Sequence, residues 1–114
     1  MLRNKSQNLL LSKNIELADT SSKRARGLMF RRKLDAALIF NLPTESRAYA
    51  SLHMLFVFFP IDVLFLDGNK RIVDIKRNFK PFSLNYTPKK ASKYVVELSL
   101  GRIKNTKIGD VLSW

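Results

Sequence analysis

The stretch from Leu52 to Asp74, LHMLFVFFPIDVLFLDGNKRIVD, holds the longest apolar run of the chain, its single histidine, one acid inside that run and the clearest turn signal. From Met54 to Leu66 only Pro60 and Asp62 interrupt the apolar residues. That is too short for a bilayer-spanning helix, which needs roughly 20 apolar residues. Phe, Val, Ile and Leu dominate and a proline sits in the middle, so two buried strands meeting at a bend fit better than one helix. The second strand, Ile61 to Leu66, runs into Asp67-Gly68-Asn69, where glycine and asparagine tolerate positive φ. A new apolar-rich run starts at Arg71, and together these predict a hairpin.

Working outward, Leu9 to Leu11 and Ile15 to Leu17 flank the turn residues Ser12, Lys13 and Asn14, which predicts an opening hairpin or a bent strand. Asp19 or Thr20 can cap a helix, and from Ser21 the residues Ala25, Leu28 and Met29 follow helical spacing to about Arg32. Gly27 inside that helix marks either close packing on a strand, the preferred reading, or an early left-handed helix end. Ala36 to Phe40 reads as a strand, followed by a loop over Asn41 to Ser46 rich in turn formers. Arg71 to Asn78, Tyr94 to Leu100 and Val111 to Trp114 complete the strands, and Phe79 to Lys93 is a long loop without a period, the kind that often carries function. The expected fold is mainly β, a small β-barrel or two-sheet sandwich of about 7 or 8 strands with one short N-terminal amphipathic helix.

At 114 residues, the chain reads as a single domain, 1–114, long enough to bury roughly two thirds of the surface its unfolded form exposes. Residues 1–6 read as a loose N-terminal segment. The apolar stretch at Leu9 to Leu11 is shorter than the roughly 7 residues a signal peptide requires, which places the protein in the cytoplasm without membrane insertion. Cysteine is absent, which excludes a thiol nucleophile or thiolate metal site and argues against zinc. No metal or other cofactor is expected, and the oligomeric state is open.

Charge is the strongest compositional signal: 21 Lys and Arg against 9 Asp and Glu give a formal net charge of +12. Such a surface favours acidic partners, an anionic ligand or nucleic acid, although a generally basic, solvated surface has the same composition. The best-placed basic residues are Lys76, Arg77, Lys80, Lys89 and Lys90, interleaved with Phe82 and Tyr86. Aromatics can stack on bases while lysines meet phosphates; the bland alternative has the aromatics plugging the sheet and the lysines solvating the loop.

Asp62 lies among Phe58, Phe59, Ile61, Val63 and Leu64, so its carboxylate needs an arginine, backbone amides or a hydroxyl. An ion pair with Arg24 or Arg31, fixing helix to sheet, is the first expectation. The functional alternative makes Asp62 a general base or ligand anchor in a pocket with Arg24, His53 and Glu97. A lone histidine beside apolar residues is more often a hydrogen-bonded core group, and a strand carboxylate such as Glu97 more often pairs with a lysine or arginine. Neither a Gly-x-Ser-x-Gly elbow nor a glycine-rich phosphate loop is present, so no catalytic motif supports an enzyme.

Several pieces, in order and at similar spacing, resemble the uncharacterised family catalogued as domain of unknown function 192. They are Arg24 to Arg31 (RARGLMFR), Leu38-Ile39-Phe40, His53-Met54, Pro60 to Asp67 (PIDVLFLD), Ile72-Val73, Val96-Glu97-Leu98, Gly101 and Gly109-Asp110. The likeness covers roughly Leu17 to Val111. Here His53-Met54-Leu55-Phe56 stands where the family pattern often has an aromatic residue followed by Met-Lys-Asn. The resemblance implies a compact, mainly β fold with one short helix and no established activity. From the residues themselves, the leading reading is a small binding domain for an anionic ligand or polyanion. The alternatives are an enzyme with an Asp/His/Glu acid-base pocket and a protein-interaction module using an exposed sheet edge.

Overall fold

In a computed structural model, residues 1–20, 27–28, 31–51, 57–83 and 85–114 are described. Among them lie eight strands: β1 (Leu2–Asn4), β2 (Leu9–Ser12), β3 (Ile15–Ala18), β4 (Ala37–Ser46), β5 (Ile61–Leu66), β6 (Ile72–Phe79), β7 (Ser92–Ser99) and β8 (Leu112–Ser113). They form a three-stranded sheet, β2-β1-β8, and a five-stranded sheet, β3-β4-β7-β5-β6. β3 and β4 pair in parallel, and the other strand pairs are antiparallel. The fold is thus mainly β in two sheets, and the barrel alternative falls because the sheets do not close on one another.

The five-stranded sheet is covered on both faces, which explains why β5 is buried at every position. A strand with water on one side would alternate; one packed on both sides reads as a continuous apolar run. Toward the three-stranded sheet, Leu64, Leu66, Ile39, Val96 and Leu98 meet Leu2, Leu11 and Leu112. On the other face Val63, Phe65, Leu38, Phe40 and Val95 pack with Leu28, Leu34, Ala50, Val57 and Phe79 from outside or at the end of the sheet. Each fully buried side chain of this size, Phe65 for example, contributes on the order of 2–3 kcal/mol by leaving water.

Several local expectations change. The loose segment at 1–6 is instead organised: Leu2 and Asn4 are fully buried and β1 is the middle strand of its sheet. The opening hairpin is absent, because β2 pairs with β1 whereas β3 pairs with β4. The loop expected over Asn41 to Ser46 continues β4, with a register irregularity that absorbs Pro43. Of the first central strand, residues 52–56 lie outside the described residues, and Val57 to Pro60 form no strand.

The short helix is not supported. Ser21 to Arg26, Met29 and Phe30 lie outside the described residues, and among those described the segment is a turn at Gly27 and Leu28. The Arg31 amide donates to the Leu28 carbonyl at 3.1 Å. Gly27 has φ of +48° and lies in this turn, so it is left-handed, but the helix on which both readings of Gly27 rest is not supported.

The β5–β6 hairpin is present, with different turn chemistry. Asp67 Oδ1 accepts from the amides of Asn69 and Arg71 at 2.9 and 3.0 Å, and the left-handed residue is Lys70, φ +62°. The carboxylate closes the turn, so neither Gly68 nor Asn69 needs positive φ.

The segment around Gly109 sews the two sheets together. The Gly109 amide donates to Ile72 O, the Ile72 amide to Asp110 O, the Leu112 amide to Lys70 O and the Lys5 amide to Val111 O, all at 2.8–2.9 Å. Asp110 is the hub of this seam: its Oδ2 accepts from Asn4 Nδ2 at 2.9 Å, Gln7 Nε2 at 2.7 Å and the Lys107 amide at 3.1 Å. Burial pushes its carboxyl up, but the bonds from Asn4, Lys107 and Gln7 and the Lys107 charge together hold it below the usual carboxylate range.

Candidate anion-binding pocket

The acids named from the sequence do not converge. Asp62 stands opposite Leu98 and Glu97 opposite Val63. Leu98 belongs to the core between the sheets and Val63 to the core on the other face. Because side chains alternate along a strand, Asp62 and Glu97 therefore point to opposite faces of the five-stranded sheet. Arg24 and His53 lie outside the described residues.

Among the described residues Asp62 is held by backbone amides, not by Arg31. Its Oδ1 accepts from the Asn78 amide at 2.8 Å and its Oδ2 from the Gly101 amide at 3.4 Å. Asn78 is left-handed (φ +48°) and lies where the β5–β6 register shifts, and Gly101 (φ +84°) follows β7. The carboxylate thus pins a bulge and a strand end. Arg31, the other partner expected for Asp62, instead donates to both carboxylate oxygens of Glu16 on β3, at 2.9 and 3.0 Å. The pair holds Glu16 below and Arg31 above their ordinary pKa values.

Glu97 is the exception among the buried acids. It is 6% exposed, and its Oε1 has no hydrogen-bond partner among the described residues. Burial pushes its carboxyl up to about 8, against the pull of the Arg31 charge. A carboxyl of this kind is protonated near neutral pH.

The basic and aromatic residues of the long loop do build a cavity. A pocket of about 370 Å³ is lined by Lys76, Asn78, Phe79, Lys80, Ser83, Asn85 and Tyr86. Tyr86 is the strut beneath it. Its hydroxyl donates to Asp74 Oδ2 at 2.7 Å, and its ring lies 5.7 Å from that of Phe65 and 6.3 Å from that of Phe79. Burial, then the hydrogen bond and charge of Asp74, push the Tyr86 hydroxyl up to about 12. Asp74 also accepts from the Lys89 amide at 3.0 Å, so one buried carboxylate ties both arms of the loop to β6.

Lys76 Nζ sits 5.4 Å from the Tyr86 ring centre and 5.9 Å from that of Phe79. Neither Lys76 nor Lys80 enters an ion pair among the described residues. The remaining basic candidates lie elsewhere. Arg77 donates to the Thr106 carbonyl at 3.2 Å, Lys89 is held through its amide, and Lys90 accepts through its carbonyl from Ser92 Oγ. Phe82 does not line the pocket but packs edge-on against Phe58 at 5.5 Å.

A second cavity, about 330 Å³, is lined by Leu10 to Asn14, Asp35, Arg102 and Lys104. There an acid accompanies the cations and Lys104 Nζ already donates to Leu10 O at 3.2 Å.

Sequence reasoning missed Asp74, Asn78, Ser83 and Asn85. The pairing of Asp74 with Tyr86 spans a loop that shows no period, and only the clustering of lysines near aromatics signalled the pocket. Among the described residues no helix is long and apolar enough to cross a membrane.

Relatives share the sequence over most of this chain. The UPF0127 protein TK1120 of Thermococcus kodakarensis is 47% identical over 102 residues, 88% of this chain, and the match spans 64% of that protein's own length. Among solved structures, a protein of unknown function from Novosphingobium aromaticivorans superposes with a TM-score of 0.80 at 28% identity, covering 88% of this chain and 74% of that one. A Sinorhizobium meliloti protein, provisionally described as a transcription regulator, does so with a TM-score of 0.80 at 30% identity, covering 87% and 79%. A family model described as "Uncharacterized ACR, COG1430" matches residues 2–114, and the chain therefore belongs to this family, DUF192, as the Gly27-Leu28-Met29 and Pro60-Ile61-Asp62 pieces led us to expect.

Proposed function

We propose that this domain binds a small organic anion in the pocket between β6 and the 79–91 loop. The observation that carries the reading is a concave site holding two lysines, Lys76 and Lys80, that no carboxylate neutralises among the described residues. Around them Asn78, Ser83 and Asn85 supply neutral hydrogen-bonding groups, and Phe79 and Tyr86 supply apolar wall. Small-molecule sites combine a mostly apolar concavity of about 300–1,000 Å³ with a few convergent polar groups.

A small anion fits better than a nucleic-acid strand. Tyr86 is half-buried with its hydroxyl committed to Asp74, and Arg77 is turned toward Thr106, so the basic and aromatic residues do not form one continuous track. The nucleic-acid reading has its own support in the net charge and in the description given to the Sinorhizobium meliloti protein.

The test is a titration with inorganic phosphate followed by amide chemical shifts. Shifts confined to Asn78, Lys80, Ser83 and Asn85, lost in a Lys76→Ala/Lys80→Ala variant, are expected. Absence of those shifts overturns the reading. Salt-dependent binding of single-stranded RNA that survives the double variant but fails when Arg77, Lys89 and Lys90 are replaced would put the polyanion in its place.

A further inference from the structure

Lys80-Pro81-Phe82-Ser83 is a hydrogen-bonded turn, its Ser83 amide donating to the Lys80 carbonyl at 3.2 Å. Proline occupies the second position and Phe82, at the third, has φ of +59°. This is the pattern of a type II turn, whose third position is normally glycine. A bulky side chain in the left-handed region is strained, and such a residue is a genuine outlier. Burial does not offset the cost, because Phe82 is 54% exposed. Its ring meets that of Phe58, itself 53% exposed, at 5.5 Å and 73°.

The fold therefore holds an aromatic pair in solvent at a backbone position that disfavours phenylalanine. Strain of this kind, once observed, points toward function. The place of the turn supplies the rest: Lys80 and Ser83, its first and last residues, both line the anion pocket, so Phe82 lies on the turn that borders the pocket, outside its lining. Edge-to-face pairs such as Phe58–Phe82 accept a further ring by stacking or edge contact.

Building on the anion-pocket reading, we infer that the ligand is an aromatic anion, a negatively charged group joined to a planar ring. Its charge meets Lys76 and Lys80, and its ring rests on Phe82 and Phe58. An aryl or nucleoside monophosphate has this chemistry, with Asn78 and Asn85 able to bond its polar edge.

The experiment compares phenyl phosphate with methyl phosphate on the full chain and on Phe82→Gly, by calorimetric titration. The expected result is about tenfold tighter binding of phenyl phosphate to the natural chain, within the range of aromatic stacking. In Phe82→Gly the ratio should fall to about one, while thermal melting rises because glycine relieves the turn. Equal affinities in the natural chain, or a preference that persists in Phe82→Gly, overturn the aromatic assignment while the anion pocket stands. Binding of neither phosphate overturns both.

Discussion

Two buried carboxylates, at the seam between the sheets and in the middle of the five-stranded sheet, meet opposite fates. Asp110 lies beside chain turns, where amides and side-chain amides are free to point at it, and it accepts from Asn4, Gln7 and Lys107. Glu97 lies in mid-strand between β4 and β5, opposite Leu38 and Val63, where the backbone donors serve the ladder and the flanking side chains are apolar. A carboxylate at a turn can be satisfied by main chain; one inside a sheet depends on side chains. The difference separates an acid held as a carboxylate from one that, among the described residues, lacks a partner for Oε1.

The comparison would break most visibly at Asp110. Asp110→Ala removes the acceptor of the buried Asn4 amide and of Gln7, and should cost about 3 kcal/mol in urea unfolding. A loss below about 1 kcal/mol would mean that the seam does not rest on this carboxylate.

The pH dependence sharpens the contrast because the two acids act with opposite signs. Asp110 is held below its ordinary value of 3.8, so its contribution is present above that value and lost as pH falls below it. Glu97 is raised from 4.5 to about 8, so the folded state holds a proton that the unfolded state releases, and stability falls as pH rises from about 4.5 to about 8. Stability should fall through that window, and Glu97→Gln should flatten the profile. A natural chain equally stable at both ends of that window would remove the distinction.

The smallest effect tests the backbone beside the hub. Gly109 has φ of +97°, and a side-chain carbon there would stand in open space, so Gly109→Ala should cost about 1 kcal/mol through conformation alone. Gly68→Ala, whose new methyl group would meet only Glu45 Oε1 at an ordinary 3.8 Å, should be near neutral in the same denaturation assay.

These residues also show what a sequence discloses. β5 was legible because six consecutive buried positions leave an apolar run broken only by Asp62, and β6 because Asp67-Gly68-Asn69 signals a turn, although the Asp67 carboxylate rather than positive φ at Gly68 or Asn69 closes it. That Asp62 needs a partner followed from its neighbours; that the partners are the amides of Asn78 and Gly101 depended on a register shift no local pattern encodes. β1 was illegible because three residues with positive charges nearby show no period, and its burial comes from strands far away in the chain. In the pocket, Lys76, Lys80 and Tyr86 were visible as a cluster, but only the folded loop separates them from Arg77, Lys89 and Lys90.

The placement of β1 beside β8 sets a timetable for folding. Arg3 lies opposite Ser113, whereas the β5–β6 hairpin joins residues only a few positions apart. Closing a loop of about 110 residues costs roughly 4 kcal/mol of chain entropy beyond a constant, compared with little for the hairpin. The hairpin can therefore nucleate early, and the three-stranded sheet closes after much of the chain is already ordered. Substitutions at the seam should consequently speed unfolding more than they slow refolding.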